Sequence, residues 1–190
     1  LSMNGRKLID VILSMNGRKR IDVIYFPIEK TKIQVFHHTA SQYQPRIHTE
    51  KLFRRCVMEM IERDIIMNGI IDLGAWIGDN AGPWAKVISD KVYAIDPSPH
   101  NCKMIRDLRS LNSLQNLCII QSAIGDSEGE LSIKSGDINH ASLEKTTQRS
   151  SSTIHTTTLD ILVEKEKING RIGFIHLDVE GMEYDVLVGA

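Results

Sequence analysis

Apolar positions follow two rhythms along this chain, and the rhythm changes at Gly69. In the earlier part, residues 21–40 (IDVIYFPIEKTKIQVFHHTA) predict two short strands around Glu29-Lys30-Thr31, with Pro27 weakening the first or placing it at an edge. Residues 41–48 are polar and read as a loop. From Thr49 a helix is predicted, with Thr49 as N-cap and Glu50 in the first turn, where a negative charge suits the helix dipole. Leu52, Phe53, Cys56, Val57, Met60 and Ile61 recur at helical spacing and predict a core-facing stripe. Asn68-Gly69 closes that element.

Beyond Gly69, short apolar runs alternate with helical segments. Ile70–Leu73 predicts a strand, followed by a glycine-rich turn and a helix over 80–89. A second strand is expected at 91–96, a helix over 98–111 and a third strand at 117–121. Residues 131–134 add a small strand after the turn Asp126-Ser127-Glu128-Gly129, and the Ser- and Thr-rich stretch 134–157, with its run Ser150-Ser151-Ser152, reads as an exposed loop. A helix over 158–167 leads to a fourth strand at 172–178, and a further helix begins near Gly181. Apolar runs buried on both faces and separated by helices mean a mostly parallel sheet in an α/β fold, with its four core strands in the expected order 3-2-1-4. The chain divides accordingly into an N-terminal arm, 1–68, and an α/β domain, 69–190.

The arm opens on a tandem repeat. LSMNGRKLIDVI at 1–12 returns as LSMNGRKRIDVI at 13–24, with Leu8 becoming Arg20. Two units are too few for a solenoid. A hairpin arm, a recent duplication and an artefact of cloning all suit it, and no function is assigned to it.

Composition narrows the function classes. In 190 residues, 23 Lys and Arg nearly cancel 24 Asp and Glu, so the basic excess of a nucleic-acid or anionic-membrane binder is missing. No apolar run reaches the roughly 18 residues of a membrane helix, and residues 1–7 lack the apolar core of a secretory signal. Cys56, Cys102 and Cys118 are widely spaced and odd in number, which argues against a disulfide framework or a zinc site. A soluble, cytoplasmic protein is expected.

The densest chemical signal is Asp72-Leu73-Gly74-Ala75-Trp76-Ile77-Gly78-Asp79-Asn80. It lies where an open α/β sheet places ligands, past a strand's carboxyl end and at a helix start whose N–H groups can hold a carboxylate or phosphate. Gly74 and Gly78 let a ligand lie against bare backbone, and Pro83 is tolerable in a first helical turn. The same glycines also suit a plain tight turn. Asp96, ending the second strand, can accept ribose hydroxyls or cap a turn. A dinucleotide turn needs G-x-G-x-x-G, whereas this one is G-A-W-I-G with bulky Trp76 and no middle glycine. That argues against NAD and for a smaller nucleoside such as S-adenosylmethionine.

Five blocks in order carry a resemblance: IIDLGAWIGDNA at 70–81, VYAIDPSPHN at 92–101, SAIGDSEGELSI at 122–133, TTTLDIL at 156–162 and FIHLDVEGMEYDVLVGA at 174–190. The chain resembles the FkbM-type methyltransferases, whose most specific block is K-x-D-V-E-G-x-E leading into L-x-G. The resemblance implies a Rossmann-like methyltransferase fold that binds S-adenosylmethionine, with methyl transfer to a hydroxyl oxygen of a sugar or other small-molecule acceptor. By position, Asp72, Gly74, Ala75 and Gly78 would surround the methionine end, Asp96 the ribose, and Ser122 and Ala123 the adenine. Asp178 and Glu180 fall where methyl donor and acceptor meet, as candidate base or orienter, and equally suit the start of the next helix. Asp178 also suits a metal ligand, as in divalent-dependent O-methyltransferases, but such a site needs further oxygen ligands, and no metal-binding residues are assigned. His176 stands where the family usually carries lysine. On that strand face it points either to the site or into the core, where a buried, satisfied histidine is the commoner outcome. His37, His38 and His48 read as surface residues. Relative to the family the chain is expected to be truncated at its C-terminus, leaving the fourth strand as an open edge suited to self-association. The rival reading is therefore a non-catalytic remnant that binds nucleosides or another chain.

Overall fold

A computed structural model describes residues 20–132, 153–166, 168 and 171–190. Strands β1 (Ile21–Phe26) and β2 (Thr31–Phe36) form an antiparallel hairpin, paired from Ile21↔Phe36 to Phe26↔Thr31. Lys30 takes a left-handed φ of 51° in the turn between them. Most of the repeated segment lies outside the described residues, and only its end, Ile21–Ile24, is seen in β1.

The expected loop at 41–48 is instead the greater part of helix α1 (His37–Thr49). Ala40, Tyr43 and Ile47 are buried at helical spacing, a stripe thin enough to be hidden among polar residues. Pro45 lies inside α1, where it has no N–H to donate to the carbonyl four residues back. Thr49 ends α1 rather than capping the next helix, its hydroxyl donating to the Pro45 carbonyl at 3.3 Å. Helix α2 (Lys51–Glu62) follows at once. Its inner face is turned from the expected stripe: Val57 is buried and Phe53, Met60 and Ile61 pack on the core, but Leu52 and Cys56 are exposed and Arg54 is buried. The reason is an ion pair that apolar spacing does not reveal. Arg54 Nη1 donates to Glu29 Oε1 at 2.6 Å, and Nη2 to the Asp79 carbonyl at 2.7 Å.

The central sheet follows the expected pattern closely. Strands β3 (Gly69–Leu73), β4 (Val92–Ile95) and β5 (Leu117–Ile120) are joined by helices α3 (Ala81–Val87) and α4 (Pro99–Asn112). With β9 (Ile172–Leu177) they form a four-stranded sheet in the order β5-β4-β3-β9, every pair parallel. This is the 3-2-1-4 order of a Rossmann-like α/β fold. All five residues of β3 are buried because both faces are covered. Ile70, Val92 and Ala94 face one apolar cluster together with Trp84, Ile105 and the hairpin residues Phe26 and Ile33. Ile71, Leu73, Tyr93 and Ile95 face the other, with Leu159, Leu162 and Val186. The first cluster runs from the hairpin into the sheet without a break at residue 68.

A second, three-stranded sheet contains β6 (Ala123–Ile124), β7 (Gly129–Ser132) and β8 (Thr153–Thr157), in the order β6-β8-β7. Its last strand corrects the expected loop over 134–157 at its C-terminal end, where Thr-Ile-His-Thr-Thr has the β-branched content of a strand. The rest of that loop, with the serine run, lies outside the described residues. Helices α5 (Leu159–Lys165) and α6 (Glu183–Val188) complete the order. No helix among the described residues is long and apolar enough to cross a membrane.

Candidate functional site

The carboxyl ends of the central strands are tied together by backbone. Leu73 accepts from the Asp178 N–H at 3.0 Å, Ile95 accepts from the Gly74 and Ala75 N–H groups at 2.9 and 3.0 Å, and Ile120 accepts from the Asp96 N–H at 3.2 Å. This places Gly74 with φ +79° so close to the neighbouring strand that a Cβ would stand 1.9 Å from the Asp178 carbonyl oxygen. Only glycine fits there. The turn then carries Trp76 with φ 46°, an uncommon conformation for a bulky residue, held by its N–H to Asp96 Oδ2 at 2.9 Å.

Over these strand ends opens a cavity of about 510 Å³. Gly74, Asp96, Ser122, Ala123, Asp178 and Glu180, six of the residues singled out in the sequence, line it. Leu73, Trp76, Ile95 and Ile124 supply apolar wall. Asp72, Ala75 and Gly78 lie outside the lining. The start of α3 also lies outside it, with Ala81 to Ala85 buried in the fold. The Asp72 carboxylate points into the core, bonded to His176 Nδ1 at 2.8 Å. His176 is thus a partly buried histidine with a partner, flanked by the Phe53 and Trp84 rings. Burial disfavours its charge, but the Asp72 bond and the charges of Asp72, Asp178 and Glu50 outweigh this and raise its pKa.

Asp96 is buried at the end of β4, and desolvation pushes its pKa up to about 6 even though three N–H groups oppose the shift. Those donors are Trp76 N, Ser98 N at 2.8 Å and Asn101 Nδ2 at 3.1 Å. A carboxylate offers about four acceptor sites, so about one remains for a ligand hydroxyl. Ser98 in turn caps α4, accepting from the Asn101 N–H.

The roof comes from the N-terminal arm, where no sequence motif points to a site. Gln42, Pro45 and Arg46 of α1 line the cavity. Tyr43 fixes this helix by donating to the Ile77 carbonyl at 2.8 Å, inside the glycine-rich turn. Arg46 lies over the Trp76 ring, 4.9 Å from its centre, and donates to Glu50 at 3.0 Å and Asp178 at 3.3 Å. No apolar period or motif marks it; the only signal was a cation next to a proline in a polar run.

Residues 72–190 match the family model of the FkbM methyltransferase domain. The chain belongs to the FkbM methyltransferase family. S-adenosylmethionine is accordingly its cofactor. In this FkbM domain the bare backbone at Gly74, the buried acceptor Asp96 and the apolar wall of a cavity within the usual range for small ligands fit an adenosyl group. The chain is also similar to the crystal structure of M. jannaschii TYW2 in complex with AdoMet, at 17% identity and a TM-score of 0.33. That likeness covers 60% of this chain and 50% of the other, so the chain spans half of that structure. No curated protein matches significantly. Among the described residues no group of three or more His, Cys, Asp or Glu side chains could hold a metal ion.

Proposed function

We propose that this chain is an S-adenosylmethionine-dependent methyltransferase acting on a hydroxyl oxygen of a sugar or other small molecule. The observation that carries the reading is Asp96, a buried acid presented at the carboxyl end of β4 into a cavity walled by three other strand ends. In this reading Asp96 accepts one ribose hydroxyl at its remaining site. Leu73 and Ile95 pack on the nucleoside, with Ser122, Ala123 and Ile124 along the adenine edge. Gly74 supplies backbone without a side chain at the methionine end. Ala75 and Gly78 shape the turn from outside the lining, and Asp72 acts through His176, holding β3 and β9 in register.

When bound, S-adenosylmethionine supplies an electrophilic methyl on a sulfonium whose departure needs no proton. The protein's tasks are therefore alignment and removal of the acceptor's proton. Asp178 and Glu180 line the cavity where β9 ends, and either can orient an acceptor hydroxyl or receive its proton. Glu180 has φ 53° and stands directly before Gly181 in the turn to α6. A cytoplasmic setting, which rests on composition, and self-association along β9, an edge of the central sheet among the described residues, belong to the same proposal.

Calorimetric titration with S-adenosylmethionine and S-adenosylhomocysteine tests it, with NAD as comparison and Asp96→Ala as control. Micromolar binding of both adenosyl compounds, lost in the variant and absent for NAD, is expected. A folded chain that binds neither overturns the reading. Methyl transfer from labelled donor to a panel of sugars and phenols then tests the acceptor. Asp178→Asn or Glu180→Gln should lower kcat if that residue takes the proton.

A further inference from the structure

We infer that Arg46 of α1 is the residue that grips the α-carboxylate of the methyl donor's methionine end, while its neighbour Asp178 takes the α-ammonium, which assigns the acceptor's hydroxyl to Glu180 rather than to Asp178. The inference rests on the cofactor reading above and extends it to a part of the chain outside the family match, which begins at residue 72.

Charge balance is the first argument. An α-amino acid carries one negative and one positive group on a single carbon, so its site needs a cation and an anion side by side. Arg46 is the one cationic side chain among the described residues lining the cavity, where the acids are Asp96, Asp178 and Glu180. Asp96 is committed to three N–H donors on the nucleoside side. Arg46 and Asp178 are already adjacent, with Nη1 at 3.3 Å from Oδ2. An amino-acid zwitterion laid across this pair meets opposite charge at both ends and leaves the net charge of the pair unchanged.

Donor geometry is the second. Both bonds that Arg46 makes, to Glu50 and to Asp178, leave from Nη1. The Nε and Nη2 edge donates to no protein group among the described residues. That edge is a two-pronged fork matched to a carboxylate. The guanidinium is meanwhile held in place, by Glu50 at 3.0 Å on one side and by the Trp76 ring beneath it. A pre-placed fork loses little freedom when a ligand arrives.

The third argument is position. Arg46 touches Asp178, and the carbonyl of Asp178 is the group against which Gly74 packs, so the pair stands beside the glycine turn. Tyr43, one helical turn earlier, ties α1 to the same loop through the Ile77 carbonyl. The hairpin arm thus completes a site that the glycine motif leaves open on one side.

The test uses the full chain and two ligands that differ only at the amino-acid end. S-adenosylhomocysteine carries it; 5′-methylthioadenosine keeps the nucleoside and sulfur but lacks it. Arg46→Gln should weaken S-adenosylhomocysteine by about 10- to 100-fold, the usual cost of losing a charged hydrogen-bond partner, and leave methylthioadenosine within about twofold. Arg46→Lys should recover part of the loss, since it restores the charge without the fork. Unchanged binding of S-adenosylhomocysteine by Arg46→Gln overturns the inference. So does an equal loss for both ligands, which would make Arg46 a support for the roof. If the folded wild-type chain binds neither ligand, the cofactor site itself fails and the inference falls with it. Binding of methylthioadenosine by the wild type separates the two failures.

Discussion

In the arm from Ile21 to Glu62, charged side chains are buried among the apolar ones. Arg54 and Glu29 are sealed in the interior as an ion pair, Asp22 is buried against His37, and Arg46 reaches the cavity. In the sheet from Gly69 to Leu177, packing is decided by apolar alternation and by backbone, with Ile70, Ile71, Leu73 and Ile95 almost fully enclosed. The contrast teaches where each half is vulnerable. A charged interior fails when one partner of a pair is removed, because the other is left without compensation. A backbone-defined turn fails when a side chain is added.

The largest expected effect follows from the first rule. Arg54→Ala leaves the Glu29 carboxylate buried without its partner and should lower stability by about 3–5 kcal/mol, read from the urea midpoint. The double variant Glu29→Gln with Arg54→Met should recover most of that loss. If the double variant is as unstable as the single one, the packing of Arg54 over the Phe26 ring, 5.1 Å away, matters more than its charge. Gly74→Ala tests the second rule. Its Cβ would lie 1.9 Å from a backbone oxygen at a φ of +79°, so the ends of β3 and β9 must separate. A loss of about 2–4 kcal/mol is expected, together with weaker binding of S-adenosylhomocysteine. The same change at Gly78 meets a similar φ of +80° but no clash, its Cβ resting 3.4 Å from Ile105, and should cost less.

The same contrast explains what could be read from the sequence. The strands and helices beyond Gly69 were legible because burial on both faces writes itself as unbroken apolar runs, and glycines mark the one turn that must be bare. Even the strand order could be read. Helix α1 was not, since Ala40, Tyr43 and Ile47 are a sparse stripe and Pro45 argues against a helix interior. The inner face of α2 is hidden in the sequence for a related reason. Arg54 turns inward to meet Glu29, which lies 25 residues earlier, and a pairing at that distance leaves no periodic trace. Of the site, Asp96 and the acids after β9 lay at strand ends where such residues are sought. The placement of Asp72 against His176 depends on the register of β3 with β9, and Arg46 depends on the fold of the arm. Neither relation is local in sequence.

Asp96 offers a smaller effect with a defined pH range. Its pKa is raised to about 6 by burial, so it is ionised at neutral pH and protonated in mild acid. Only the ionised form has all its acceptor sites. The affinity of the wild type for S-adenosylhomocysteine should therefore be level above about pH 7 and fall as pH drops through about 6. Asp96→Asn should bind about 10- to 100-fold more weakly at pH 7.5 and show a flatter profile, by titration calorimetry. An unchanged slope in the variant would assign the acid limb to another group.

The finest distinction between the two halves lies at Asp79, where they meet. It follows the glycine turn of the sheet, yet the cations around it, Arg46 and Arg54, belong to the arm, opposed by Asp72 of the sheet and Glu50. It is fully enclosed, its Oδ2 has no hydrogen-bond partner, and desolvation raises its pKa from 3.8 to about 7 despite both arginines. Between about pH 4 and pH 7 the folded chain therefore holds a proton that the unfolded chain releases, so Asp79 subtracts stability as pH rises through that window. Asp79→Asn removes the ionisation and keeps the shape. At about pH 4, the lower edge of that window, the variant should melt close to the wild type. At pH 8 it should melt several degrees higher, the gap opening mainly between those values, as calorimetric scans across the range would read. A gap that stays constant with pH would mean that the two arginines hold Asp79 ionised throughout. The arm's charges would then reach into the sheet strongly enough to reverse the cost of burial, and the line between a charged half and an apolar half would have to be moved past residue 79.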